Sequence, residues 1–240
     1  MKIAEITGKL KSDEITVTKS IGSIIVCTTK TLDQLTNEKI SIYIERGNGN
    51  NVIVANKVSL KDFILASTYG SEAVQSDGSL STVALCEIAL NGSILLAEKE
   101  SIKIQLDDLI STQTYSLYGV EEPNYTNDLY FFEQKTIASE EFNKKIDVYG
   151  FDLAVMTTDV SVSDVSYQYE NGQVVKYLPF ELQTLSRDVD PIQYVLADGT
   201  VSQGVANRVC LPLLHVNSLE VNKSQGTIIN FLVRTNKNVQ

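Results

Sequence analysis

Tryptophan is missing from this 240-residue chain, histidine occurs once and cysteine three times. Each scarcity excludes something. With His215 alone, a histidine-based metal centre lacks its ligands, and a catalytic triad would depend on that single base. Cys27, Cys86 and Cys210 lie far apart in apolar surroundings, with no C-x-x-C spacing. They make neither a disulfide framework nor a zinc site, and read as buried reduced thiols of a chain made in a reducing cytoplasm. Basic charge is also short. The 20 Lys+Arg against 30 Asp+Glu leave a net charge of -10, which argues against wrapping nucleic acid. Having so little Trp and His beside 11 Tyr weakens a carbohydrate-cleft reading. The opening residues, Met1-Lys2-Ile3-Ala4-Glu5-Ile6-Thr7, lack an apolar signal core, so no secretory signal is expected. The longest apolar stretch, residues 83–97, is broken by Glu87, Asn91 and Gly92 and falls short of the roughly 20 residues of a membrane span. No glycine-rich phosphate loop occurs, because Gly47-Asn48-Gly49 precedes a strand pattern rather than a helix. Basic-aromatic interleaving for single-stranded nucleic acid is absent too.

What is present is alternation. Lys39-Ile40-Ser41-Ile42-Tyr43-Ile44-Glu45 and Glu100-Ser101-Ile102-Lys103-Ile104-Gln105-Leu106 alternate polar and apolar residues. So do Glu14-Ile15-Thr16-Val17-Thr18, Asp159-Val160-Ser161-Val162-Ser163 and Ser218-Leu219-Glu220-Val221-Asn222. A period of two places one face on a core and the other outward. Ser23-Ile24-Ile25-Val26-Cys27-Thr28-Thr29 and Thr227-Ile228-Ile229-Asn230-Phe231-Leu232-Val233 suit strands covered on both faces. Gly47-Asn48-Gly49-Asn50, Asp77-Gly78, Asn91-Gly92, Asn171-Gly172 and Asp198-Gly199 supply turns. Helical pattern is short. Residues 59–65 start with the N-cap candidate Ser59, and residues 179–185 place Pro179 at a first helical position. Residues 106–112 and 139–143 are weaker helix candidates. Nothing is long enough to cover a parallel sheet, so the fold class is all-β with short helices.

The second half echoes the first. Val26-Cys27-Thr28-Thr29 matches Val155-Met156-Thr157-Thr158, and Tyr43-Ile44-Glu45 matches Gln168-Tyr169-Glu170 before a turn. Val52-Ile53-Val54 matches Gln173-Val174-Val175, a short amphipathic helix follows each hairpin, and Leu85-Cys86 and Val209-Cys210 each open an apolar strand. Two duplicated units of about 120 residues are each large enough for an eight-stranded sandwich. The boundary falls within residues 121–139, where residues 121–128 read as a polar linker, and the division expected is 1–126 and 127–240.

On this duplicated strand order, with a short helix after a hairpin in each half, the whole chain resembles the double jelly-roll major capsid proteins of tailless icosahedral viruses, many of them enclosing a membrane. Val58-Ser59-Leu60-Lys61-Asp62-Phe63-Ile64 and Ile104-Gln105-Leu106-Asp107-Asp108-Leu109-Ile110 are similar to stretches in the smallest lipid-containing bacteriophage members. The resemblance implies two tandem eight-stranded jelly rolls, a homotrimer of pseudo-hexameric outline, and neighbouring capsomers with minor or penton capsid proteins as partners. It places the protein in a virion after synthesis in a host cytoplasm, and implies no catalytic residue, no cofactor site and no metal ligand. The alternatives are a tandem β-sandwich binding module, such as a phage spike or lectin-like adhesin, and a β-sandwich enzyme.

The remaining groups set expectations of their own. Asp107-Asp108 and Glu121-Glu122 are sequence neighbours, which point apart on a strand. Asp188 and Asp190 would share a side if extended, making residues 187–191 a candidate calcium loop or a solvated one. Lys2, Lys9 and Lys11 at one end, and Arg234 and Lys237 at the other, could face anionic lipid or genome or be frayed, solvated ends. Tyr115, Tyr118, Tyr125 and Tyr130 read as loop tyrosines for contacts between subunits or as core filling. His215, inside Leu211-Pro212-Leu213-Leu214-His215-Val216, reads as a packed or interfacial strand residue.

Overall fold

The computed structural model describes residues 1–68, 74–189, 193–195, 201–203 and 207–239. Alternation becomes strands as expected. β1 (Lys2–Thr7), β2 (Ile15–Val17), β3 (Ser23–Thr28), β4 (Lys39–Glu45) and β5 (Val52–Ser59) lead into helix α1 (Leu60–Thr68). The short β6 (Gln75–Asp77) then precedes β7 (Leu80–Glu87), β8 (Ser93–Ile94), β9 (Ser101–Asp107) and β10 (Thr114–Val120). After β11 (Tyr125–Thr126) come β12 (Asp128–Ile137), β13 (Asn143–Asp147), β14 (Leu153–Thr157), β15 (Val162–Tyr169) and β16 (Val174–Tyr177). Helix α2 (Pro179–Val189) is followed by β17 (Gln193–Val195), β18 (Val201–Gln203), β19 (Arg208–Pro212), β20 (Val216–Lys223) and β21 (Ile229–Asn238).

Pairing sorts these strands into two sets with one plan. In the first, β1-β10-β3-β7 lie side by side in one sheet and β2-β9-β4-β5 in another. In the second, β12-β21-β14-β19 and β13-β20-β15-β16 do the same. Counting the strands of each set from its start, both read 1-8-3-6 over 2-7-4-5, the jelly-roll order of two packed antiparallel sheets. The repeated segments fall on matching strands: the Val26 and Val155 runs on β3 and β14, the Leu85 and Val209 runs on β7 and β19. Their hairpins match as well. Gly49 (φ +81) closes β4–β5 and Gly172 (φ +82) closes β15–β16, where L side chains are strained. Asn48 and Asn171 brace these turns by accepting the backbone N–H two residues on, at 3.0 and 2.9 Å.

The residue-by-residue match is corrected by one place. Val26 faces the first core and Met156 the second. Val155 turns the other way, into the cluster that contains α1. Pairing Val26 with Val155 therefore joins opposite faces, because a one-residue slip inverts a strand.

Helix expectations divide the same way. Ser59 Oγ accepts from Asp62 N at 3.3 Å and caps α1, and Pro179 opens α2. Residues 106–112 are not helical: Asp107 ends β9 and Asp108 takes φ +55, a left-handed value that ends the run. Residues 139–143 form a turn that enters β13, with Glu141 Oε2 accepting Ala138 N at 2.7 Å. The alternating run at 159–163 is half turn, since Asp159 Oδ1 accepts Ser161 N at 2.8 Å and the strand starts at Val162. Asp198-Gly199 lies outside the described residues.

The segment before β12 is anchored. Ser93 N–H donates to Asn124 O at 2.8 Å, Ser93 Oγ accepts Glu122 N at 2.7 Å, and β11 runs parallel to β8. A Cβ on Gly92 would stand 2.8 Å from Asn124 O, and one on Gly22 would stand 2.3 Å from Gly92 O. Two glycines thus let three backbone segments stack.

Candidate functional site

The groups singled out for chemistry do not converge. His215 sits in an exposed turn at φ +61, not in a strand. The Leu211–Pro212 run ends at β19, and His215 Nδ1 meets Glu170 Oε2 at 3.3 Å across the tip. Asp107 pairs with Lys11 at 2.9 Å and Asp108 with Lys39 at 2.7 Å, so these neighbours diverge. Glu121 pairs with Lys19 at 3.4 Å. Cys27, Cys86 and Cys210 are buried and form no disulfide, and burial pushes the Cys86 thiol up to about 12. Asp188 lies on the backbone of α2, but its side chain and the whole of Asp190 fall outside the described residues. No cluster of three metal-ligating side chains occurs among the described residues.

The basic termini are largely paired. Lys2 meets Glu5, and Lys9 lies 2.6 Å from Asp13. Lys237 Nζ lies 5.9 Å from the centre of the Phe131 ring. Of the four tyrosines, none stands in a loop: Tyr115 and Tyr118 are on β10, Tyr130 on β12 and Tyr125 on β11. Tyr115 and Tyr130 fill the core, whereas Tyr125 is exposed.

An open groove of about 690 Å³ lies beside Lys39, Lys57, Asp108, Gln134 and Arg208. Its carboxylates already have partners. Asp62 Oδ1 accepts Arg208 Nε at 2.6 Å. Glu38 lies at the groove floor, almost fully buried, and is ion-paired to the equally buried Lys30. Tyr115 Oη donates to Glu38 Oε1 at 3.0 Å, and Oε2 accepts the N–H groups of Thr36 at 2.9 Å and Asn37 at 3.2 Å. Burial opposes charge on Glu38, but the hydrogen bonds from Lys30, its surrounding backbone and Tyr115 outweigh it and hold the carboxyl below the usual range. This arrangement braces a loop and two strands; each oxygen is occupied.

The other constructed feature is the junction between the two strand sets. β5 and β12 pair in parallel at Ala55 and Phe132, fusing half of each set into one 8-stranded sheet. α1 packs between β7 of the first set and β14 and β21 of the second. All nine of its residues are buried. Phe63 meets the Phe132 ring edge-on at 4.9 Å. Arg234 Nη1 donates to Ala66 O at 2.7 Å, satisfying a carbonyl in the last turn of α1. The same guanidinium pairs with Asp152 and lies 4.8 Å from the Tyr130 ring centre. Replacing Arg234 with Met is expected to destabilise the protein by about 3 kcal/mol, the low end for a broken buried pair because Asp152 stays half-exposed. A urea midpoint unchanged from wild type would refute this role. Sequence reasoning missed the junction. Its one signal is that Leu60-Lys61-Asp62-Phe63-Ile64-Leu65-Ala66 is apolar around most of its circumference, as a helix covered on all sides must be.

The protein has the double jelly-roll fold. Among solved structures, the major capsid protein P2 from Bacteriophage PM2 matches with a TM-score of 0.59 at 9% identity, covering 100% of this chain and 95% of that one. The STIV MCP matches with a TM-score of 0.55 at 9% identity, over 98% and 94% of the two chains. The atomic structure of Sulfolobus Turreted Icosahedral Virus gives 0.53 at 7% identity, over 98% and 88%. No protein-family model matches the chain, and no curated protein matches it. These three matches each cover 88% or more of the solved chain at 9% identity or less, so the likeness is one of fold.

Proposed function

We propose that this double jelly roll is a major capsid protein, working through contact rather than covalent chemistry, with the units divided at 126/127. The observation that carries the reading is the full-length match of both units, in one chain, to capsid proteins of the same plan. The division is supported by the start of β12 at Asp128. Two similar units per chain and three chains give six similar sides, which tile as a hexamer does. Homotrimers would pack against neighbouring capsomers in a virion. Exposed aromatic side chains, among them Tyr125, Tyr149 and Phe142, suit such contacts. The basic termini would meet an internal membrane: Lys2, Lys9 and Lys11 are ion-paired but each stays half-exposed, and exposed pairs of this kind are weak.

Light scattering on the purified protein is expected to give three times the chain mass, and electron microscopy at high concentration to show sheets or shells. A monomer at every concentration would refute the coat reading, and glycan binding by that monomer would favour a binding module instead.

A further inference from the structure

The groove beside Lys57 draws on both units. Lys57 and Asp108 come from the first, Arg208 and Asn230 from the second. Its volume of about 690 Å³ falls within the range of small-molecule sites. Gln134 fixes the seam between the units. Its Oε1 accepts Ser59 N at 3.3 Å and its Nε2 donates to Phe231 O at 2.9 Å.

The acceptors of this groove are occupied, and donors are left over. Asp62 is taken by Arg208 at 2.6 Å, Asp108 by Lys39 at 2.7 Å, and Glu38 by Lys30 and Tyr115. Lys57, by contrast, has no carboxylate within ion-pair distance among the described residues. Asn230 Oδ1 accepts from Thr136 Oγ1 at 3.0 Å, which leaves Asn230 Nδ2 as a donor. Three cations and three carboxylates line the groove, and Lys30 neutralises Glu38 from outside that lining. One positive charge is therefore uncompensated.

The backbone holds Lys57 in a strained position. It takes φ +50, a left-handed value that disfavours a residue with a side chain. β5 bulges there. Between the pairs Ile42–Ala55 and Ile40–Val58, Asn56 and Lys57 stand opposite the single Ser41, whose Oγ accepts Lys57 N at 2.9 Å. A bulge re-aims the side chain it carries, and this one sets an unpaired ammonium at the groove. Apolar surface lies on the same groove. Leu109 N–H donates to Leu10 O at 2.8 Å and ties two loops together, with Leu10 68% and Ile110 41% exposed.

We propose that this groove binds a small organic carboxylate. The carboxylate meets the Lys57 ammonium and the Asn230 amide, and its apolar body lies against Leu10 and Ile110. A ligand must bring acceptors, because the groove's own are occupied. One uncompensated charge suits a monoanion. A phosphate dianion needs a second free cation, and Lys39 and Arg208 are committed to Asp108 and Asp62. The strained bulge is retained because it aims Lys57. The site lies within one chain and stands apart from the coat reading.

The test is calorimetric titration of the purified protein with hexanoate, with the uncharged hexanamide of the same shape, and with inorganic phosphate. Hexanoate is expected to bind saturably at one per chain, and hexanamide at least about tenfold more weakly, the scale of one hydrogen bond to a charged group. Lys57→Met is expected to weaken hexanoate by the same factor with the thermal midpoint unchanged. Lys57→Gly is expected to weaken it equally while raising the midpoint, since glycine accepts the left-handed backbone without strain. Absence of saturable hexanoate binding, or equal binding by Lys57→Met, overturns the site. Hexanamide binding as tightly as hexanoate, or phosphate more tightly, overturns the assignment to a carboxylate. A lowered midpoint in Lys57→Gly overturns the role given to the bulge. Light scattering on the same samples decides the coat reading separately.

Discussion

Replacing Phe63 with Ala is expected to destabilise the protein by about 3–5 kcal/mol, the range for truncating a fully buried aromatic side chain. Phe63 is 0% exposed, and its ring meets Phe132 of the second unit. The substitution leaves a cavity between two sheets and a helix, where neither strand set can relax without moving the other. Loss of the aromatic pair adds to the loss of buried area. Denaturant unfolding should also change form. Wild type is expected to unfold in one transition because α1 belongs to both units, and the variant should show a broadened or split one. Val160→Ala, at a fully exposed turn position, is the contrast and should stay within about 0.5 kcal/mol of wild type. Equal losses from the two substitutions would show that α1 is not the shared element.

Glu38→Gln should cost about 3–5 kcal/mol, since it leaves the Lys30 ammonium buried without its counter-charge. The sign of the pH effect follows from the carboxyl's lowered value. The folded state holds fewer protons on Glu38 than the unfolded state does. The stabilisation is therefore fully present above the ordinary glutamate value of 4.5 and is lost as pH falls through the folded value. Urea midpoints measured from neutral pH down to pH 3 should fall less steeply in Glu38→Gln than in wild type. Identical slopes would remove Glu38 from the account. The double replacement Glu38→Leu with Lys30→Met should recover much of the loss, because a buried pair can be exchanged for packed apolar groups at little net cost.

Local rules made much of the architecture legible. Alternation at residues 39–45 became β4, with its odd positions turned outward and its isoleucines buried. Gly-Asn and Asn-Gly turns marked the two matching hairpins, and Ser59 and Pro179 marked the helix starts. Where one local rule met another, the pattern misled. Val160 continues a period of two, but Asp159 captures the backbone first and leaves Val160 fully exposed. His215 stands in an apolar run that Leu213 interrupts, its carbonyl accepting Val216 N at 3.0 Å to close a tight turn. The lysines near the N-terminus looked free in one dimension, although Lys11 lies against Asp107, far along the chain. The duplicated segments identified equivalent strands, but their facing required the actual sheets, since similarity of composition survives a one-residue shift and facing does not.

By itself the chain's order of residues determined a β fold, its division into two like units, and the place of a short helix after each fifth strand. Periodicity and turn chemistry are local, and they act the same way wherever the segment ends up. Which of the two helices would be buried was decided only in three dimensions. α1 disappears because β12, β14 and β21, 60 or more residues away along the chain, close over it; α2 keeps Phe180 exposed because no described strand closes over its outer side. Burial is a property of what arrives from elsewhere, so a helix can encode its own turns but not its cover.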